Sequence, residues 1–166
     1  MTVATPEQLN LFAEAPTQVS SAINELTEEQ LHYRHSPDSW SIHEVIVHLA
    51  DADALGYWRI RKTIAEANST LPVYAEASWA SNLSYQSQSR ELALTTFAAL
   101  RASTIALLRS LPAETWEMRA HHPENGMMSV YDLFTVYLGH TQAHLEQIEQ
   151  IKQRLLQTQA TIPAVE

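Results

Sequence analysis

The sequence predicts an all-α protein, a four-helix bundle. Three observations carry that expectation. Ala, Leu, Glu and Gln dominate while only three of 166 residues are Gly, a mix that favours helix because these side chains lose little freedom there. Four long segments repeat apolar residues every three or four positions, three of them opening on a capping signal. No segment shows the alternating pattern of a half-buried strand, and helices of this length must bury their stripes on one another.

The elements follow in order. Thr5-Pro6-Glu7-Gln8 places a capping Thr before a Pro at the first helical position, with Gln three after the cap. It opens a helix over about 6–26. Thr27-Glu28-Glu29-Gln30 caps a short turn through Leu31, and His35-Ser36-Pro37-Asp38 breaks the pattern. Ser41-Ile42-His43-Glu44 is a second capping box. The helix behind it reaches roughly Ala67, with Val45, Leu49, Ala52, Leu55 and, less regularly, Trp58 on its stripe. Residues 68–83, with Pro72 and several Ser and Asn, read as a long loop. The third helix covers about 85–110, with Leu92, Leu94, Phe97, Leu100, Ile105 and Leu108 as core candidates. Pro112 and the stretch His121 to Gly126 mark another loop. Ser129 caps a fourth helix running to about Gln157, with Asp132 favourable to its dipole. The tail to Glu166 reads as frayed, and residues 1–166 read as a single domain.

Composition excludes several classes. A formal net charge of -9 repels phosphate backbones, so no nucleic-acid partner is expected. Arg59, Arg61 and Lys62, the densest basic group, read as a solvated helix face. Cys is absent, which removes disulfides, thiolate zinc sites and a cysteine nucleophile. No basic region followed by an apolar run opens the chain, and no run of about 18 apolar residues occurs. A cytoplasmic protein with no membrane partner is the expectation.

The eight His are not equivalent. Leu133, Tyr137, His140, His144, Ile148, Ile151 and Leu155 step by three or four and share one face. His48, three after Val45 and four before Ala52, lies on the stripe of the second helix. Each buried imidazole must satisfy two ring nitrogens, so three aimed at one core need a reason. One reason is a metal: two His four apart have Cβ atoms roughly 6 Å apart and can converge on one ion, and a third from another helix completes the set. The other is hydrogen bonding, the usual fate of a core His. Spacing alone leaves both open. The levels of His48 and His140 along their helices match most easily if the second and fourth helices run parallel.

The motifs around these residues resemble a known family. Trp40-Ser41 followed by His48-Leu49-Ala50-Asp51-Ala52-Asp53 resembles the helix-two signature of DinB-like proteins. Tyr137-Leu138-Gly139-His140-Thr141-Gln142-Ala143-His144 resembles their helix-four signature. Pro72-Val73-Tyr74-Ala75-Glu76-Ala77-Ser78-Trp79-Ala80 and His122-Pro123-Glu124-Asn125-Gly126 are similar to loops of the YfiT branch, the bacillithiol-transferase-like proteins. The likeness spans about residues 20–150. It implies a four-helix bundle with a divalent metal on His48, His140 and His144. It also implies thiol transfer to electrophiles or metal-dependent hydrolysis, and often a homodimer. Ala143 and Gln147 stand where the branch carries further His, which implies a poorer outer shell.

Asp51, three after His48, is a candidate to orient a ligand or take a proton; its alternative is a solvated carboxylate. His122, before Pro123, is a second catalytic candidate in a loop that covers the site. Glu44 reads as the capping partner of Ser41, and His32, His35, His43 and His121 as surface or loop residues. Trp40, Trp58 and Trp116 read as core. Tyr74 and Trp79 read as packing the long loop onto the bundle, with a pocket wall as the alternative. All-imidazole ligation suits Zn, Ni, Fe or Cu, and the expected cofactor is a divalent ion such as Zn, Ni, Fe or Mn. The expected activity is that of a metal-dependent enzyme activating a small-molecule thiol or water toward a small electrophilic substrate. The alternative is a non-catalytic metal- or ligand-binding bundle with a stress-response role.

Overall fold

A computed structural model describes residues 1–160. Six helices and a small hairpin follow in the order α1 (Pro6–Ile23), α2 (Glu28–His32), α3 (Ile42–Ala65), α4 (Glu76–Asn82), α5 (Arg90–Ser110), β1 (Arg119–His122), β2 (Gly126–Ser129) and α6 (Val130–Ala160), with single 3-10 turns at Tyr85–Ser87 and Ala113–Glu117. The expected tail beyond Ala160 lies outside the described residues.

The long helices start where local chemistry requires. The Thr5, Thr27 and Ser41 side chains each accept the amide three residues on, and Gln8, Gln30 and Glu44 reach back to the cap amide. Ser129 accepts the Asp132 amide at 3.0 Å, and Asp132 in turn accepts from Ser129 N–H at 2.8 Å. The third long helix begins at Arg90, not 85, because Ser89 provides its cap by accepting Leu92 N–H.

α1, α3, α5 and α6 form the bundle, in which α3 and α1 each pack on both α5 and α6. Contacts along the seams fix the directions. Phe12–Phe134, Gln18–Gln142 and Ala22–Lys152 advance together, so α1 and α6 are parallel. Asp53–Arg101 and Arg61–Ser103 do the same for α3 and α5. His48–His140 and Arg59–Tyr137 run in opposite senses, so α3 and α6 are antiparallel. The parallel arrangement expected of those two helices is therefore corrected. A parallel α3–α5 pair needs a connection that returns along the bundle, and residues 66–89 are that crossover. The apparent long loop carries α4 and the Tyr85 turn.

Two apolar clusters fill the interior. One gathers Val19, Ile42, Leu49, Phe97, Ile148 and Ile151. The other gathers Phe12, Ile60, Leu108, Trp116, Leu133 and Phe134. Between them lies a polar layer. Arg101 donates to both carboxylate oxygens of Asp53, to Thr141 Oγ1 at 2.7 Å and to the Tyr137 carbonyl at 3.1 Å. Its guanidinium stacks on Phe12, 3.8 Å from the ring centre. Gly56 allows α3 and α6 to approach here: a Cβ at this position would stand 2.7 Å from the Tyr137 ring. α5 has the length and hydropathy of a membrane span, the only such helix among the described residues. The buried ion pair of Arg101 shows its inner face used as a core face.

Several expectations are corrected. Residues 119–129 are an antiparallel hairpin rather than loop, with Ala120 opposite Met128. Pro123, Glu124 and Asn125 make its turn, and Gly126, which opens β2 opposite His122, takes the left-handed φ of 72° that other residues avoid. Trp58 is 45% exposed and Leu92 69% exposed, so neither is core. Arg59 is buried rather than solvated, donating to Tyr137 Oη at 3.0 Å. His43 is likewise buried, bonded through Nε2 to the Tyr85 carbonyl.

Candidate metal centre

His48 points inward from the second turn of α3, and His140 and His144 point inward from one face of α6. The antiparallel packing of these helices brings the three rings together. Nε2 of His140 is 3.0 Å from Nε2 of His48 and 3.1 Å from Nε2 of His144. All three rings offer a ligand nitrogen within 4.8 Å of the others, the one such His, Cys, Asp or Glu group among the described residues.

The donor set fits an ion. Two nitrogens each about 2.0–2.1 Å from one cation stand about 2.8–3.4 Å apart for angles between square and tetrahedral. Proton counting points the same way. His144 Nδ1 lies 2.7 Å from Gln147 Oε1, which only accepts, so Nδ1 carries the proton and Nε2 a lone pair. Tyr74 Oη is 3.2 Å from His48 Nδ1. The single Nε2 proton of a neutral His140 cannot serve two facing lone pairs equally, whereas a cation serves all three nitrogens. Among the described residues, His140 Nδ1 is buried without a hydrogen-bond partner.

Burial pushes the His48 and His140 imidazoles down to about 3, reinforced for His48 by its two His neighbours and for His140 by His144. Burial also lowers His144, against its bond to Gln147. Neutral rings are the form a metal binds. They also set a pH dependence. Unfolded imidazoles protonate near 6.5, whereas folded His48 resists until about 3. The metal-free protein is therefore expected to hold this contribution above about pH 6.5 and to lose it as pH falls toward 3, by up to about 1.4 kcal/mol per pH unit for His48. Urea midpoints measured at pH 7, 6 and 5 check this; equal midpoints would contradict it.

An open cleft of about 430 Å³ reaches the group at His144, with Trp40, Glu76, Gln147, Ile151 and Arg154 among its walls. Trp40, expected in the core, is partly buried against the first apolar cluster, and it also packs on His48 with ring centres 4.8 Å apart and lines this cleft. Tyr74 also lies against His48, with ring centres 5.7 Å apart and nearly parallel planes, and Trp79 meets Tyr74 edge-on. The long loop is thus a wall of the site. Gln147, expected to leave the outer shell poorer, supplies the hydrogen bond that orients His144.

The two catalytic candidates fall differently. Asp51 makes no hydrogen bond to His48; it accepts a 2.6 Å bond from Tyr85, whose Oη is 3.2 Å from Tyr74 Oη. Burial pushes the Tyr74 phenol up to about 12, and burial with the Asp51 bond raises Tyr85, so both remain protonated donors. His122 sits at the end of β1, where its Nδ1 accepts the Glu124 amide at 3.3 Å. Among the described residues it has no hydrogen bond or ring contact with the three imidazoles. Tyr85 was missed by sequence reasoning, and Tyr74 was read as loop packing or a pocket wall rather than as a partner of His48; 26 and 37 residues beyond His48, Tyr74 and Tyr85 carry no spacing signal.

The fold and site define a class. The chain belongs to the DinB superfamily, whose model matches residues 11–148. A curated relative from Oceanobacillus iheyensis, named "Putative metal-dependent hydrolase", is 30% identical over 148 residues, covering 89% of this chain and 86% of that one. A Bacillus licheniformis protein given the same description is 29% identical over 143 residues, covering 86% and 81%. YfiT from Bacillus subtilis, a solved structure described as "a probable metal-dependent hydrolase with an unusual four-helix bundle topology", superposes with a TM-score of 0.85 at 21% identity, covering 93% of this chain and 91% of that one. The likeness to YfiT establishes the fold.

Proposed function

We propose that this protein is a metal-dependent enzyme in which His48, His140 and His144 hold one divalent ion and a small electrophile is attacked by a thiol or by water. The carrying observation is the convergence of three Nε2 atoms beside an open cleft. The names of the curated relatives support the metal-dependent part of the reading. Held by neutral ligands only, a divalent ion would keep its charge and would supply the Lewis acidity that lowers the pKa of a thiol or water.

The chain's own residues do the rest. Gln147 fixes the tautomer and ring plane of His144. Trp40 and Tyr74 pack their rings against His48 and exclude water where they touch it. Glu76 and Arg154 place one carboxylate and one guanidinium on the cleft wall, where they position a polar small molecule. A nucleophile and electrophile held together in this cleft gain from proximity as well as from the lowered pKa.

The test is a paired screen on protein reconstituted with zinc, nickel, manganese or iron and on the chelator-stripped protein. One arm follows conjugation of small thiols to an activated aryl halide, the other hydrolysis of activated esters and amides. Turnover in either arm that vanishes on stripping and returns with metal is expected. Equal rates with and without metal in both arms would contradict the proposal.

A further inference from the structure

Each hydroxyl in the chain of bonds behind His48 has one proton to give, and that count fixes a direction. The Asp51 carboxylate only accepts, so Tyr85, 2.6 Å away, gives its proton there. The Tyr85 oxygen is then left as an acceptor. Tyr74 Oη, 3.2 Å from it, must be the donor of that pair. With its proton directed to Tyr85, Tyr74 faces His48 Nδ1 at 3.2 Å as an acceptor. His48 Nδ1 must therefore carry the ring proton, which leaves Nε2 as a lone pair aimed at His140 and His144.

We infer that Asp51, Tyr85 and Tyr74 are positioning residues that lock His48 in its Nδ1–H tautomer, so that its Nε2 is available as a ligand. The inference rests on the metal reading given above and deepens it. The chain is built into the fold. Tyr85 is wholly buried, and its carbonyl is held at 3.1 Å by the buried His43. Gln86, the next residue, donates to Ser41 Oγ at 3.4 Å, tying the turn to the α3 cap. Trp40 and Tyr74 both pack against the His48 ring and restrict its rotation. Asp51 itself is only half-buried and is the anchoring charge of the chain. Tyr85→Phe has a specific consequence. Tyr74 loses its acceptor, its proton becomes free to point at His48 Nδ1, and the imidazole shifts to the Nε2–H form that cannot bind a cation. Asp51→Ala frees the Tyr85 proton and reverses the chain in the same sense. Asp51→Asn, which retains an acceptor oxygen, keeps the parental direction.

The experiment pairs two readouts. Two-bond ¹H–¹⁵N spectra of metal-free, ¹⁵N-His protein at pH 7.5 report which His48 nitrogen is protonated. Competition with a fluorescent chelator reports zinc affinity, and thermal melting by circular dichroism confirms each variant folds. The parent is expected to show Nδ1–H. Tyr85→Phe and Asp51→Ala are expected to show a rise in the Nε2–H form with zinc affinity down about 10–100-fold, the usual effect of losing an outer-shell partner. Asp51→Asn is expected to stay within about threefold of the parent, well inside that range. Should Tyr85→Phe prove unfolded, Asp51→Ala alone decides. A folded variant that keeps the parental tautomer, or binds zinc as tightly as the parent, overturns the inference. A parent that binds no zinc overturns the metal reading instead, and the metal-free spectra still decide the tautomer.

Discussion

His144→Ala is expected to weaken zinc binding by at least about 10–100-fold while the bundle stays folded. His144 gives the group one of its three converging nitrogens, 3.1 Å from that of His140. Its loss removes a bond and the constraint that holds its neighbours. Removing an outer-shell partner alone typically costs 10–100-fold, so loss of a ligand costs at least about as much. The fold survives because the apolar clusters above and below the polar layer do not depend on the imidazoles. A small cavity and two unshared imidazoles would lower stability by roughly 1–3 kcal/mol, which a domain of this size tolerates. Calorimetric titration with zinc and thermal melting measure the two quantities. Parental affinity would remove His144 from the ligand set, and an unfolded variant would show that the group is structural.

Arg101→Ala is expected to be more damaging to the fold than any of the His substitutions. Arg101 is 1% exposed and Asp53 5% exposed, and among the described residues each forms its ion pair with the other alone. Removing the guanidinium leaves the carboxylate stranded between the two apolar clusters. It also deprives the Thr141 hydroxyl and Tyr137 carbonyl of a donor and Phe12 of its stacked partner. Breaking a buried pair from one side typically costs about 3–5 kcal/mol, because the remaining charge has no compensation. Removing both charges is less harmful than removing one. The double variant Asp53→Leu with Arg101→Met is therefore expected to regain much of the loss. Urea unfolding of the three proteins tests this. A single variant within about 1 kcal/mol of the parent, the range of an exposed pair, would show that the ion pair does not hold the layer together.

The bundle was legible because its signals are local or periodic. The boxes at Thr5, Thr27 and Ser41 and the Ser129–Asp132 cap are written in four-residue strings, and all form as read. The stripe from Leu133 to Leu155 repeats often enough to specify a face, and its apolar members are all buried. His48, His140 and His144 were found because they interrupt such stripes with side chains that need partners. Features that depend on tertiary packing were hidden. Helix direction is not encoded in a stripe, so the levels of His48 and His140 suggested a parallel pair where packing makes an antiparallel one. The hairpin at 119–129 is too short for a period to emerge, although Asn125-Gly126 before two Met was a usable turn signal. Arg59 and His43 look solvent-facing in sequence because their partners, Tyr137 and the Tyr85 carbonyl, come from distant segments. Tyr74 and Tyr85 reach the site only because the parallel α3–α5 pair sends its crossover past it. Asp51 was noticed for its position beside His48, yet its connection to that residue passes through both of those tyrosines.

The central claim is that the three imidazoles are one metal site. Its most direct test is elemental analysis of the protein purified without a nickel column, before and after incubation with excess zinc and gel filtration, alongside a variant with His48, His140 and His144 all replaced by Ala. About one tightly held divalent ion per reconstituted parental chain is expected, and essentially none in a folded triple variant. A parental chain that emerges from gel filtration without metal, or a triple variant that retains as much as the parent, would contradict it.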